Sequence, residues 1–246
     1  YGDNKKVWDA DCRITKVYRR NLLVGSINAD TTGSTAITLN INQNDYKSEY
    51  YNGSWINQGA GLFVDFHFTN GCEVKNLQIS GSVRLGLYDD KYQLTYVTER
   101  TDDHYIGVGG FAARTANSSG KLIFTNFHLK NLNVYGGIMT GGAIGYTDGY
   151  GTKADQKSYI QFASWSIDTV NLAKWVNNNG STGGLVGWNV CYDILEITGS
   201  AEDKSTVKDL SVTTIANDMK YAAVGGIVGA CDFGAVKISN VDAESI

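Results

Sequence analysis

Three kinds of apolar–polar stretch recur along the chain in a fixed order. The first is a phrase built on Asn-Leu or Asp-Leu: Val74-Lys75-Asn76-Leu77-Gln78-Ile79, Leu129-Lys130-Asn131-Leu132-Asn133-Val134 and Val207-Lys208-Asp209-Leu210-Ser211-Val212, with Val170-Asn171-Leu172 as a weaker copy. Apolar and polar residues alternate at period two, the signature of a half-buried strand. The second is a glycine pair followed by small apolar residues. Its copies are Gly109-Gly110-Phe111-Ala112-Ala113, Gly141-Gly142-Ala143-Ile144-Gly145, Gly183-Gly184-Leu185-Val186-Gly187 and Gly225-Gly226-Ile227-Val228-Gly229. The third alternates again: Leu122-Ile123-Phe124, Tyr159-Ile160-Gln161-Phe162, Ile194-Leu195-Glu196-Ile197 and Val236-Lys237-Ile238.

The first glycines are spaced 141−109 = 32, 183−141 = 42 and 225−183 = 42 residues apart. Self-similarity at this period predicts a stacked array rather than one closed core. Three strands per turn, repeated in register, predict an all-β chain: a right-handed parallel β-helix, or β-solenoid, with loop insertions. Glycine pairs suit places where the chain bends tightly or another backbone comes close. Leu77, Ile79, Leu132, Val134, Leu185, Leu210, Val212 and Ile227 are the expected core positions.

Spacing between the Asn-Leu phrases is uneven: Leu77 to Leu132 is 132−77 = 55, Leu132 to Leu172 is 172−132 = 40, and Leu172 to Leu210 is 210−172 = 38. The long interval carries an insertion, Arg84 to Tyr105, rich in Tyr, Asp and Thr. A second excursion is expected from Gly145 to Ser158 and a third at Asn177 to Ser181, with Gly180 as a loop position. Residues 71–246 form the repeat region. Residues 1–70 fit it poorly and read as a first coil plus an end cap, since an array must hide its open edge. Within them Ala36 to Ile41 and Leu62 to Phe68 read as strands, Tyr46 to Trp55 as a hairpin, and 8–30 as the place for a short helix.

Composition adds the setting. Charged residues are 19% of the chain, under the usual quarter, and the polar surface leans on Asn, Ser, Thr, Gln and Tyr. That balance suits an exported protein. A net charge of −4 offers no attraction to phosphates, and Lys5-Lys6 and Arg19-Arg20 are isolated pairs, so nucleic acid is not an expected partner. No apolar run reaches the roughly 18 residues of a spanning helix, so no membrane insertion is expected. The chain opens at Tyr1 without an initiator Met and closes at Ile246 inside a strand-like pattern, which reads as a monomeric segment of a longer protein.

Cys12, Cys72, Cys191 and Cys231 form no CxxC pair, which argues against a zinc site. Cys191 lies 191−183 = 8 residues past its first glycine and Cys231 lies 231−225 = 6 past its own. In a stacked register that offset adds about 6–7 Å along the strand, too far for a disulfide. Free, mostly buried thiols are expected.

The four glycine-pair copies resemble the GLUG motif of large bacterial surface proteins, best at Gly184-Leu185-Val186-Gly187 and Gly226-Ile227-Val228-Gly229. The Asn-Leu phrases match its usual upstream strand. Gly109-Gly110-Phe111-Ala112-Ala113 departs by lacking the last glycine. The resemblance implies a segment of an exported bacterial protein, similar to repeats of cell-surface adhesins and of the N-terminal regions of IgA-protease-like enzymes. It implies an extracellular place and no catalytic residues.

Candidate chemistry is sparse. Asp89-Asp90 and Asp102-Asp103 are acidic doublets, but neighbours on a strand point to opposite faces, so neither doublet is a catalytic pair. Asp102-Asp103-His104 and the excursion holding Asp148 and Asp155 are weak metal candidates, and no metal or cofactor is expected. His67 and His128 alternate with apolar neighbours and read as facing solvent. No Gly-x-Ser-x-Gly elbow or phosphate loop is present. Aromatics are the richer group, with 15 Tyr. Tyr88, Tyr92, Tyr96, Tyr105, Tyr146 and Tyr150 cluster in the two excursions and are the candidate ligand-binding residues, because exposed Tyr supplies rigid amphipathic contact area. The expected role is non-enzymatic: an adhesin-like module binding a host glycan or host surface protein, or a stalk. The alternative is a carbohydrate-active β-helix enzyme or an accessory domain of a secreted protease.

Overall fold

The computed structural model describes residues 7–9, 27–29, 35–43, 50–51, 54–55, 59–67, 72–85, 87–88, 94–96, 107–117, 120–149, 158–174, 180–190, 194–200, 204–214, 222–232 and 234–246. They form strands and connections, with no helix among them. The repeats stack as a parallel β-solenoid of three sheets. Two of the three sequence stretches merge. The third type and the Asn-Leu phrase that follows it form a single long sheet, most fully in the unbroken strand Gly120–Tyr135. The glycine pairs generate the other two sheets. A glycine sheet holds Gly107–Gly109, Met139–Gly141, Gly180–Gly183 and Ala222–Gly225. A return sheet holds Phe63–His67, Ala112–Asn117, Ile144–Gly149, Val186–Val190 and Val228–Cys231.

The core follows from period-two alternation stacked in register. Inward columns run Leu122–Ile160–Leu195–Val236 and Ile79–Leu129–Ile167–Val207. Phe124 and Phe162 stack face to face with centroids 4.4 Å apart, and Phe111 and Phe127 pack edge-on against Phe124. The tip of each glycine bend points into this core: Phe111, Ala143 and Leu185 are fully buried. Their amides carry the ladder round the bend, Phe111 donating to Ala143 O at 2.9 Å and Ala143 to Leu185 O at 3.0 Å.

The pair glycines are absent from the residues of positive φ, so their role is the missing Cβ. The second glycine lies under the next rung: a Cβ on Gly110 would sit 2.6 Å from Gly142 O and 2.9 Å from the Leu132 side chain. The motif's last glycine brings the glycine and return sheets together backbone on backbone. A Cβ on Gly145 would stand 2.5 Å from both Ala113 O and Val108 N. Gly180, expected in a loop, is a buried strand residue whose Cβ would meet the backbone and side chain of Ile138.

Register corrects the alignment of the phrases. Leu77 pairs with Phe127, not Leu132, and Leu132 aligns with Gly81, Val170 and Leu210. Asn76-Leu77 therefore matches Asn126-Phe127, and Val170 rather than Leu172 is the equivalent of Leu132. A fifth copy of the glycine bend lies at Gly59-Ala60-Gly61-Leu62-Phe63: Ala60 bridges Val108 and Phe63 pairs with Ala112. It lacks the glycine dipeptide, which hid it from the repeat pattern.

Expected core residues Leu77, Ile79, Leu132, Val134, Leu185 and Leu210 are buried. Val212 and Ile227 are half-buried, because they belong to the last two rungs, where little or nothing stacks above. At the other end, Thr35–Gln43 pairs parallel with the long sheet, and Ile27–Ala29 adds to it antiparallel. Tyr50–Tyr51 and Ser54–Trp55 form the expected hairpin.

Candidate functional site

The outward face of the long sheet carries the densest polar array. Two turns in each rung set its shape. In one, Asn131, Thr169, Asp209 and Ser245 all hold left-handed backbone, φ 50°, 57°, 49° and 58°, in one column. In the other, Asn76, Asn126 and Asn240 do the same at 57°, 52° and 53°. Asn and Asp tolerate this region best among residues with a Cβ. The polar residue of the Asn-Leu phrase is thus a corner residue. The sequence pattern showed it only as the polar member of an alternation.

Two hydrogen-bonded rows lie on this face, the first of them holding the corner residues Asn76 and Asn126. In the first, Asn126 Nδ2 donates to Asn76 Oδ1 at 2.9 Å, and Asn126 Oδ1 lies 2.7 Å from His128 Nε2. His128 Nδ1 lies 2.8 Å from Ser166 Oγ on the next rung. Asn126 Oδ1 can only accept, so Nε2 donates to it, while Nδ1 and the Ser166 hydroxyl share a bond that either group can donate. In the second row, Asn171 Nδ2 and Tyr135 OH both donate to Asn133 Oδ1, at 3.0 and 3.2 Å. The Arg84 guanidinium stands 5.5 Å from the Tyr135 ring centroid. Farther along the face, Lys121 lies 4.6 Å from the Tyr159 ring centroid. His128 is on the outward face, as the sequence predicts.

Three carboxylates on this face are tied to lysines of neighbouring rungs. Asp168 meets Lys130 at 3.8 Å, Glu196 meets Lys237 at 3.0 Å and Asp242 meets Lys204 at 3.1 Å. Such exposed pairs align rungs more than they stabilise them. No group of three His, Cys, Asp or Glu side chains gathers as a metal site among the described residues.

The predicted tyrosines separate. Tyr88 and Tyr96 lie on the antiparallel pair Leu87–Tyr88 and Leu94–Tyr96, in which Leu87 opposes Tyr96 and Tyr88 opposes Leu94. Tyr92, Tyr105 and Tyr150 lie outside the described residues, as do Asp89, Asp90, Asp102, Asp103, His104 and Asp155. Tyr146 is a correction: it is 1% exposed, inside the strand Ile144–Gly149, and packs in a small cluster with Met139. The strand runs on to Gly149, so the excursion starts later than expected, and Tyr146 offers no open ring. Asp148 pairs with Arg114 at 2.7 Å, both partly shielded by the fold.

Two interior polar features were not foreseen. On the return sheet, Thr115, Thr147, Asn189 and Cys231 share one column. Thr147 Oγ1 donates to Asn189 Oδ1 at 2.7 Å, and Asn189 Nδ2 donates to Cys231 Sγ at 3.4 Å. Cys231 is a free thiol, exposed at the last rung rather than buried, and Cys191, two positions beyond Asn189, lies outside the described residues. On the long sheet, Lys174 continues the inward alternation of Val170 and Leu172. Its Nζ is buried without a hydrogen-bond partner, and burial lowers its pKa from 10.5 to about 8. An inward lysine at the end of an apolar run looks like a strand boundary in sequence, which is why the pattern missed it. No protein family, curated protein or solved structure matches the chain.

Proposed function

We propose that the chain is a non-catalytic binding module of a secreted or cell-surface protein, and that its ligand is a neutral glycan lying along the outward face of the long sheet. The observation that carries this reading is the pair of amide–hydroxyl rows, Asn76–Asn126–His128–Ser166 and Tyr135–Asn133–Asn171, laid across successive rungs. Amides and hydroxyls match sugar hydroxyls in both donor and acceptor capacity. An amphipathic ring such as Tyr135 supplies apolar contact beside them. The lysine-paired carboxylates Asp168, Glu196 and Asp242 fit rung alignment better than acid–base work.

The test is binding to a panel of neutral polysaccharides by the protein and by Tyr135→Ala and Asn171→Ala. A true anchor contributes about 2 kcal/mol or more, so each change is expected to weaken binding at least about tenfold with the melting temperature held. Binding that survives both changes and falls instead with Tyr88→Ala and Tyr96→Ala would move the site to the insertion. Release of reducing or unsaturated sugars would replace the reading with an enzymatic one.

A further inference from the structure

The rung that holds Ala222–Gly225 is open on one side. Its strands Ala222–Gly225, Val228–Cys231, Ala235–Ser239 and Val241–Glu244 each pair on one side only. The large hydrophobic side chains left exposed among the described residues, Val224, Ile238 and Ile246, all belong to it.

Gly226 is the sharper sign. At Gly110, Gly142 and Gly184 the missing Cβ makes room for the glycine carbonyl of the following rung, Gly142 O, Gly184 O and Gly226 O in turn. Gly226 repeats the glycine, yet a Cβ there would meet only the Ile246 side chain, at 3.2 and 3.4 Å. Nothing in its own rung excludes a side chain at this position. A carbonyl stacked above would.

Charge adds a direction. The outward column Lys130–Asp168–Lys208–Glu244 alternates in sign from rung to rung and ends on an acid. The column Glu196–Lys237 ends on a base. A second copy of this chain is a poorer occupant: at its opposite end Val7–Asp9 and Phe63–His67 run parallel to the ladder, but Ile27–Ala29 runs antiparallel and breaks the match on the long sheet. We infer that the open end is a docking face for one further parallel rung of the same repeat. Its bend carbonyl lies over Gly226, its apolar residues over Val224 and Ile238, a basic residue over Glu244 and an acidic one over Lys237.

The experiment adds such a rung. Asp209 and Ser245 share a column, so a copy of residues 211–246 fused after Ile246 continues the register. Within the added copy, Lys237→Glu and Glu244→Lys restore the alternation of sign. Amide exchange in Ala222–Gly225 and Val228–Cys231 is expected to slow at least tenfold in the extended chain, and less when the added copy keeps its original charges. Gly226→Ala in the parental rung is expected to leave the 246-residue chain unchanged and to abolish that protection in the extended one. An added rung that gives no protection would overturn the inference. So would Gly226→Ala damaging both chains alike, or a 246-residue chain that protects these strands by dimerising, as read by light scattering.

Discussion

Ala113 takes up the space that a side chain on Gly59 would need: a Cβ built on Gly59 overlaps that of Ala113. Three other rungs carry glycine at the position of Ala113, namely Gly145, Gly187 and Gly229. The exception is accommodated because the rung beneath it supplies the glycine instead. The same reasoning separates two substitutions. Gly145→Ala would push a methyl within 2.5 Å of Ala113 O and Val108 N, both backbone atoms that cannot rotate away. It is expected to destabilise by about 2–3 kcal/mol, as overpacking of a tight interior does. Ala113→Gly removes a tolerated methyl and should cost about 1 kcal/mol or less. Urea melts of the two variants check the order, and equal costs would dismiss the backbone contact as the cause.

The repeat supplies its own control for a buried hydroxyl. Val108, Thr140, Thr182 and Val224 share one column of the glycine sheet. Thr140 Oγ1 donates to Gly136 O at 2.5 Å, whereas Thr182 Oγ1 is buried with no partner. A buried hydroxyl without a hydrogen bond costs about 1–3 kcal/mol, and valine has the same shape. Thr182→Val should therefore stabilise the protein by about 1 kcal/mol, while Thr140→Val should destabilise it by a similar amount. Opposite signs in thermal melts support this; two losses would mean that Thr182 is satisfied in solution.

These contrasts show where sequence reading succeeds and fails. Period-two alternation and the 42-residue interval predict the parallel solenoid, because both report directly on side chains stacked in register. The third stretch aligned correctly, Leu122 with Ile160, Leu195 and Val236, since nothing interrupts it. The Asn-Leu phrases slipped by five residues at Leu77, because corner asparagines occur at both bends of Gly120–Tyr135 and the two phrases look alike. The bend at Gly59 to Phe63 was missed for want of a second glycine. The polar rows on the outward face were illegible for a different reason. They join residues such as Asn126 and Asn76 that are 126−76 = 50 apart, and only the register brings them together.

Thr147 and Asn189 should behave as one unit. Asn189 is fully buried, and its Oδ1 receives the Thr147 hydroxyl from the rung below. Asn189→Leu leaves the Thr147 hydroxyl without this acceptor, and Thr147→Val leaves the amide oxygen without this donor. Each is expected to cost about 1–3 kcal/mol. The double variant removes both partners and should cost less than the sum by about 1 kcal/mol. Strict additivity in a double-mutant cycle would show that the hydrogen bond contributes nothing.

Lys174 should make the fold more stable as the solution becomes alkaline. Burial disfavours its charged form, so the folded-state pKa is about 8 against 10.5 when the chain is open. Below pH 8 both states hold the proton and the folded state bears the whole cost of a buried ammonium. Between pH 8 and 10.5 the unfolded chain binds more protons than the folded one, so stability rises with pH. The shift corresponds to roughly 3 kcal/mol at most. Lys174→Met keeps the stem and removes the charge. It is expected to be more stable than the parent at pH 7, with the difference shrinking towards zero near pH 10.5. Tyrosine titration affects parent and variant alike, so the difference between their urea unfolding free energies isolates Lys174. A difference that stays constant across that range would mean that the ammonium finds water or a partner in solution and is not held dry.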